Sequence, residues 1–365
     1  MKIKEIREYL EGIAPLSYQE NYDNSGLLVG NDHTECTGII VSLDTTEAVV
    51  EEAVRKKCNL IVSHHPIIFK GIRKLNGRNY VERTIIAAIK NDIAIYAIHT
   101  NLDNVSQGVN KKIAEKLHLQ NCKPLLPKTE TLQKLVTFSP VENADAVRNA
   151  LFKAGAGAIG KYDECSFNVE GTGTFTASEG SRPFVGEIGK NHLETEIRIE
   201  VIFPAFLQHN LVRALKEAHP YEEPAYDVYP LDNHIEDTGS GLTGELTEPV
   251  TEDKLLKLLK TAFGLSVVKH TRFSGRLISK VALCGGAGFF LFPNAIAAGA
   301  QAFITSDIKY HEFFDADNRI LLTDIGHYES EQFTIELIAE LLQKKYANFA
   351  IQKTEINTNP VYYYS

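Results

Sequence analysis

Short apolar runs alternate with amphipathic stretches at both ends of this chain, and the middle has a different texture. Ile3, Ile6, Leu10 and Ile13 recur at helical spacing until Pro15 stops them, which predicts an opening helix. Gly38–Leu43 then predicts a buried strand, Glu47–Lys57 a helix, Asn59–Val62 a second strand, Glu82–Asn91 a helix and Ile93–Ile98 a third strand. The last third repeats the rhythm, with strands at Lys280–Leu283, Ala302–Thr305 and Arg319–Thr323 and helices at Pro293–Ala298 and Gln332–Lys345. Strands alternating with helices predict a parallel, doubly wound sheet.

Between these thirds lie extended, alternating stretches such as Leu135–Phe138 and Glu194–Val201, with helical patterns at Ala144–Ala154 and Ala205–Ala218. The order strand, helix, strands, helix, strand predicts a ferredoxin-like α+β module, and polar Asn233–Ser240 reads as its exit linker. The expected fold class is α/β: two related α/β halves forming one metal-binding unit, interrupted by that insert. The expected boundaries are 1–127 for the first half, 128–232 for the insert and 233–365 for the linker and second half.

Composition changes this picture little. With 44% hydrophobic and 23% charged residues, the 365-residue chain can bury a sizeable core. A formal net charge of -9 without a long Lys/Arg run argues against nucleic-acid binding. Five scattered cysteines contain no Cys-x-x-Cys pair, so neither a disulfide framework nor a cysteine zinc site is expected. The charges in Met1–Arg7 leave no apolar core for a signal peptide, and no apolar stretch is long enough to span a bilayer. A soluble cytoplasmic protein is expected.

The candidate chemistry sits where strands end. Ser63-His64-His65-Pro66 places adjacent imidazoles after an apolar run. On a regular strand the two rings would point to opposite faces, so they converge only if the chain turns there. Gly326-His327-Tyr328-Glu329-Ser330-Glu331 follows another strand and puts His327 and Glu331 four apart, on one helix face. Asp103 ends the run Ile98–Asp103. Together these side chains supply nitrogen and oxygen ligands suited to one or two borderline divalent metals. Asp44, Asp307 and Asp324 also follow strands, where ligands gather in open parallel sheets. His99 is a candidate base, and Asp307 and His311 are candidates to orient a water or substrate. Cys284-Gly285-Gly286-Ala287-Gly288 follows a strand and reads either as an anion-binding loop or as a tight turn. Gly155–Gly160 matches G-x-G-x-x-G but follows a helical pattern, so turn glycines are expected there rather than a dinucleotide site.

Tyr22–Leu27, Ser63–Pro66, His99–Asp103, Thr305–Asp307 and Gly326–Glu331 together resemble the Nif-three-like family, whose members are often called GTP cyclohydrolase I type 2 homologues. The resemblance runs essentially end to end. It implies a dinuclear metal site built from His64, His65, Asp103, His327 and Glu331, holding two divalent ions such as zinc, iron or manganese. His219–Asp227 is similar to the insert of longer family members, which itself resembles small regulators of the PII and CutA kind. Family members also resemble one another in forming homohexameric rings. The function expected is a metal-dependent hydrolase of a small nucleotide-like substrate, including guanine ring opening with formate release. The alternatives are a two-metal phosphoesterase and a non-catalytic metal-binding regulator or scaffold.

Overall fold

The structure, a computed structural model, describes residues 1–364. Two compact units make up the chain: residues 1–127 with 236–365, and residues 128–235.

The larger unit holds two sheets. The first runs in the order Gly26–Val29, Ala94–Ala97, Leu60–Ser63, Ile39–Ser42, Ile351–Lys353. Its last four strands are parallel neighbours, and Gly26–Val29 pairs antiparallel at the edge. The second runs Lys269–His270, Leu321–Asp324, Ala302–Thr305, Leu277–Leu283, Gly239–Thr251, Gln120–Pro127. Only its three middle strands, Leu321–Asp324, Ala302–Thr305 and Leu277–Leu283, run parallel; the three others pair antiparallel. The expected parallel, doubly wound sheet is therefore corrected to two sheets with antiparallel strands at their flanks. Gly239–Thr251 had no strand signal because its three glycines and Pro249 break the alternation. Its pairing partners, not its own pattern, fix it.

Side chains of the parallel strands are buried on both faces, as parallel sheets require. Ile39, Val41, Leu60 and Val62 point into one core, while Ile40, Ile61 and Ile95 point into another. The second sheet divides likewise: Val281, Leu283 and Ile304 join the first of these cores, and Ala282, Phe303 and Leu322 form a third. Both sheets thus share one central core, filled by Ile3, Ile6 and Leu10 of the first helix and Leu337, Ile338 and Leu342 of the last. Burying one such aliphatic side chain stabilises by about 1.5–3 kcal/mol. This shared core brings the carboxyl ends of both parallel strand sets together in one compact unit, which positions the site.

The smaller unit has the element order strand, helix, two strands, helix, strand, and an antiparallel sheet in the order Phe167–Thr176, Asn191–Pro204, Leu132–Pro140, Tyr226–Pro230. Its core lies under the helices Ala144–Lys153 and Gln208–Ala218, where Leu135, Val147, Leu151, Ile199, Val201 and Leu211 meet. Gly155, Gly157 and Gly160 all have positive φ just after the first of these helices, so this stretch is a turn. Thr238 is buried and Gly239 begins a strand, so the polar stretch expected as a linker ends inside a sheet.

Candidate metal centre

His64 and His65 follow Leu60–Ser63 directly, and their backbone N–H groups still donate to Ser42 and Leu43. The chain then bends, with the Ser63 hydroxyl donating to the His65 carbonyl at 2.9 Å. That bend brings the two rings to 5.0 Å, the turn the adjacent pair required.

Each imidazole is held through Nδ1. His64 donates to the Ile98 carbonyl at 2.8 Å, His65 to Asp44 Oδ1 at 2.7 Å and His327 to Asp307 Oδ2 at 2.6 Å. Occupying Nδ1 in this way leaves Nε2 as the ligand atom, the usual partner arrangement behind metal-binding histidines. His327 opens the short helix His327–Glu331, and Glu331 projects from the same face. Glu331 Oε2 lies 3.0 Å from His65 Nε2 and 3.1 Å from His327 Nε2, while Oε1 lies 3.9 Å from His64 Nε2. The two oxygens of one carboxylate thus face different histidines.

Asp103 closes the short helix Thr100–Asp103, with Oδ1 3.7 Å from His64 Nε2. Both of those atoms are buried and lack a hydrogen-bond partner among the described residues. Burying such groups unpaired is costly. Two ligands of one ion, each about 2.0–2.2 Å from it, sit at most roughly 4.4 Å apart, so this pair fits a shared cation. His64, His65 and His99, and separately His65, His327 and Glu331, bring donor atoms within 4.8 Å of one another. The residues therefore fit a metal, by donor chemistry and by their orphaned atoms.

Electrostatics agree. Burial lowers the His65 pKa, but Asp44 and Glu331 outweigh it and push it up to about 9. Burial likewise opposes the charge on His327, yet Asp307 and Glu331 raise it to about 11. Burial pushes the Asp103 carboxyl up to about 7, with His64 opposing and Glu331 adding to the rise. Burial also works against ionised Glu331, but His327, His64 and His65 hold it well below the usual carboxylate range. Without a metal, protons supply the positive charge among these carboxylates; a bound cation would displace them.

Of the other candidates, His99 lines the same cavity and is fixed by Asp23 Oδ1, 2.8 Å from its Nδ1. Asp307, at positive φ, reaches the cluster only through His327. His311 is not brought there. It sits exposed on the helical turn Tyr310–Ala316 with its ring against Tyr310 at 5.2 Å and Phe314 at 6.4 Å, because that turn leads the chain away from the strand end. One supporting residue, Asp23, went unassigned in the sequence because it carried no signal beyond its motif; Asp44 stood out by its place after a strand, and its partner His65 gives it a role. Gly286 lies over Glu331, and the N–H groups of Gly285, Gly286 and Gly288 already donate to Asn110, Ser330 and Thr305, so the loop after Leu277–Leu283 is a tight turn that makes room for the Glu331 side chain.

The cavity around the cluster measures about 990 Å³ and is lined in part by Tyr22, Phe69, Tyr328 and Tyr363. One wall comes from the C-terminal segment, where the Thr358 hydroxyl donates to Asp44 Oδ2 at 2.6 Å and the Asn359 amide to Glu329 Oε1 at 3.1 Å.

Curated relatives include the "GTP cyclohydrolase 1 type 2 homolog" of Halalkalibacterium halodurans, 37% identical over 360 residues and covering 97% of each chain. The protein of the same name from Bacillus subtilis is 35% identical over 361 residues, again covering 97% of each. Among solved structures, a Bacillus cereus protein related to NIF3 matches with a TM-score of 0.86 and 36% identity, covering 100% of this chain and 99% of that one. A Staphylococcus aureus protein matches with a TM-score of 0.78 and 29% identity over the same shares. Residues 1–360 match the Duf34/NIF3 (NGG1p interacting factor 3) family, and the chain belongs to it.

Proposed function

We propose that this protein is a dinuclear metal-dependent hydrolase of a small, nucleotide-like molecule, possessing the guanine ring-opening activity suggested by the name its relatives carry. The observation that carries the reading is the divided Glu331 carboxylate, with Oε1 toward His64 and Oε2 toward His65 and His327. His64 and Asp103 would hold one ion, His65 and His327 the other, and Glu331 both. Zinc, iron and manganese all suit these donors. Two bound divalent ions would supply Lewis acidity and a water acidified to near neutrality.

The chain's own groups do the rest. Asp44 and Asp307 hold two imidazoles in the ligating tautomer. Asp23 occupies His99 Nδ1, which leaves Nε2 to exchange a proton with substrate in the cavity. Tyr22 and Phe69 offer ring faces for a planar base, and 990 Å³ accommodates a nucleotide.

Two related α/β halves around one site, with a ferredoxin-like insert of the PII/CutA kind, complete the proposed architecture. The repeated parallel strand triplets and the strand order of the smaller unit support it. The family resemblance supports a homohexameric ring, to be checked by light scattering. Five free cysteines fit a cytoplasmic home, and no helix among the described residues is long and apolar enough to cross a membrane.

The test is metal analysis of the purified protein followed by a nucleotide panel read for formate and for phosphate, with His65→Ala as control. Formate release that His65→Ala abolishes supports ring opening, and phosphate release would move the reading to a phosphoesterase. Bound metal with no turnover on any nucleotide would replace the hydrolase with a metal-binding regulator.

A further inference from the structure

A second cavity, about 890 Å³, lies wholly within the smaller unit on the strands Phe167–Thr176 and Asn191–Pro204. At its base is Glu196, only 8% exposed. Its Oε1 accepts the Tyr221 hydroxyl at 2.8 Å, and Oε2 has no partner among the described residues. The carboxylate leans over Gly173, where a Cβ would stand 2.1 Å from Oε2, so the glycine is what lets Glu196 occupy this position. Tyr221 is itself fixed. Its backbone N–H donates to His219 Nδ1 at 3.1 Å, and His219 Nε2 donates to the Phe138 carbonyl at 2.8 Å. Phe175 and Phe184 flank the Tyr221 ring, each with centroids 6.2 Å away.

Charge selects the ligand. Glu170, Glu196, Glu222 and Glu223 line the cavity against Arg182 and Arg198. Both guanidiniums are already engaged: Arg182 reaches Glu222 at 3.4 Å, and Arg198 reaches Glu200 at 2.9 Å. An anion would meet surplus carboxylate. A cation would find an oxygen with no partner and three aromatic rings, the combination that recognises ammonium and guanidinium groups.

We infer that the smaller unit carries a binding site for a small organic cation, an alkylammonium or alkylguanidinium. Its charged head donates to Glu196 Oε2, and its alkyl body packs against Phe175, Phe184 and Tyr221. The site is separate from the metal centre and does not depend on the function proposed for it.

Titration calorimetry on the full-length chain at physiological ionic strength tests this, with agmatine and putrescine as probes, butylurea as the neutral control and inorganic phosphate as the anionic one. Saturable binding of at least one cation at one site per chain is expected, with none for butylurea. Glu196→Gln should weaken it roughly tenfold or more, since a charge-assisted bond becomes a neutral one. Gly173→Ala should weaken it by displacing Glu196, and Tyr221→Phe, which keeps the ring, should cost less than either. Circular dichroism checks each variant's fold; should Glu196→Gln not fold, Gly173→Ala and Tyr221→Phe decide. Failure of both cations to saturate, unchanged affinity in a folded Glu196→Gln, or saturation by phosphate instead would each overturn the inference.

Discussion

His64 Nε2 and Asp103 Oδ1 face each other across 3.7 Å, both buried and neither hydrogen-bonded among the described residues. Burying two polar atoms without hydrogen bonds costs stability in a metal-free chain. A cation between them turns that cost into a gain. Adding zinc or manganese to chelator-treated protein should therefore raise Tm. At a hundredfold excess over Kd the gain is about 2.7 kcal/mol, which corresponds to a shift of several degrees. Asp103→Asn should shrink the shift. Thermal unfolding with and without metal is the measurement, and an unmoved Tm would count against a metal site here.

The carboxylates behind the histidines should matter almost as much as the ligands. Asp44 is 33% exposed in its side chain and is held by Thr358 as well as His65; Asp307 is 53% exposed and serves His327 alone. Removing such a supporting group costs about 10–100-fold in metal affinity. Asp44→Ala should fall toward the upper end and Asp307→Ala toward the lower, because solvent screens the more exposed pair more strongly. Competition with a chromogenic chelator separates them, and equal affinities in both variants and wild type would refute the supporting role.

Glu52 predicts a pH dependence away from the metal. Its fully buried carboxylate accepts from the Thr354 hydroxyl, the Glu355 N–H and Lys56, tying down the segment that leads into the cavity wall. Burial opposes its ionised form, but Lys56, Thr354 and the Glu355 backbone outweigh burial and lower its pKa. A carboxylate with a lowered folded pKa stabilises the protein above its unfolded value, near 4.5, and that stability is lost as pH falls through the folded value. Glu52→Gln should cost about 1–3 kcal/mol at pH 7. Its deficit relative to wild type should shrink progressively below about pH 4.5. Urea denaturation at both pH values checks this; a deficit that stays constant with pH would argue against an ionised Glu52.

The sequence made some of this legible and hid the rest for physical reasons. Leu60–Ser63 and Ala302–Thr305 announced themselves because strands buried on both faces must be continuously apolar. Helix bounds such as Ala144–Lys153 lay within a residue of the expected Ala144–Ala154, since periodicity and a following glycine coincide there. Gly239–Thr251, Gly26–Val29 and Ile351–Lys353 escaped notice because pairing partners, not their own patterns, make them strands. At the site, the spacing of His327 and Glu331 exposed their shared face, whereas nothing local placed Thr358 against Asp44, 314 residues away. His311 lies as close in sequence to a strand end as Asp103 does, but the turn Tyr310–Ala316 leaves it exposed with its ring against Tyr310 and Phe314, which sequence spacing could not show.

Gly286 offers a way to disturb the proposed metal centre without touching a proposed ligand. It has φ 62°, and a Cβ there would lie 2.3 Å from Glu331 Oε1 and 3.4 Å from His327. Its backbone N–H donates to the Ser330 hydroxyl at 3.0 Å, which fixes the loop against the Glu331 helix, so the loop cannot simply withdraw. Gly286→Ala should thus combine about 1–2 kcal/mol of left-handed backbone strain with displacement of the one carboxylate shared by both groups of histidines. Metal content should fall well below wild type while the far-ultraviolet circular dichroism stays native, and Tm should drop by a few degrees even with chelator present. Gly264→Ala makes the control: it too has positive φ, at 66°, but its Cβ meets nothing within 4 Å. It should show the strain penalty with full metal content. Equal metal loss in the two alanine variants would mean that strain, rather than the crowding of Glu331, empties the site.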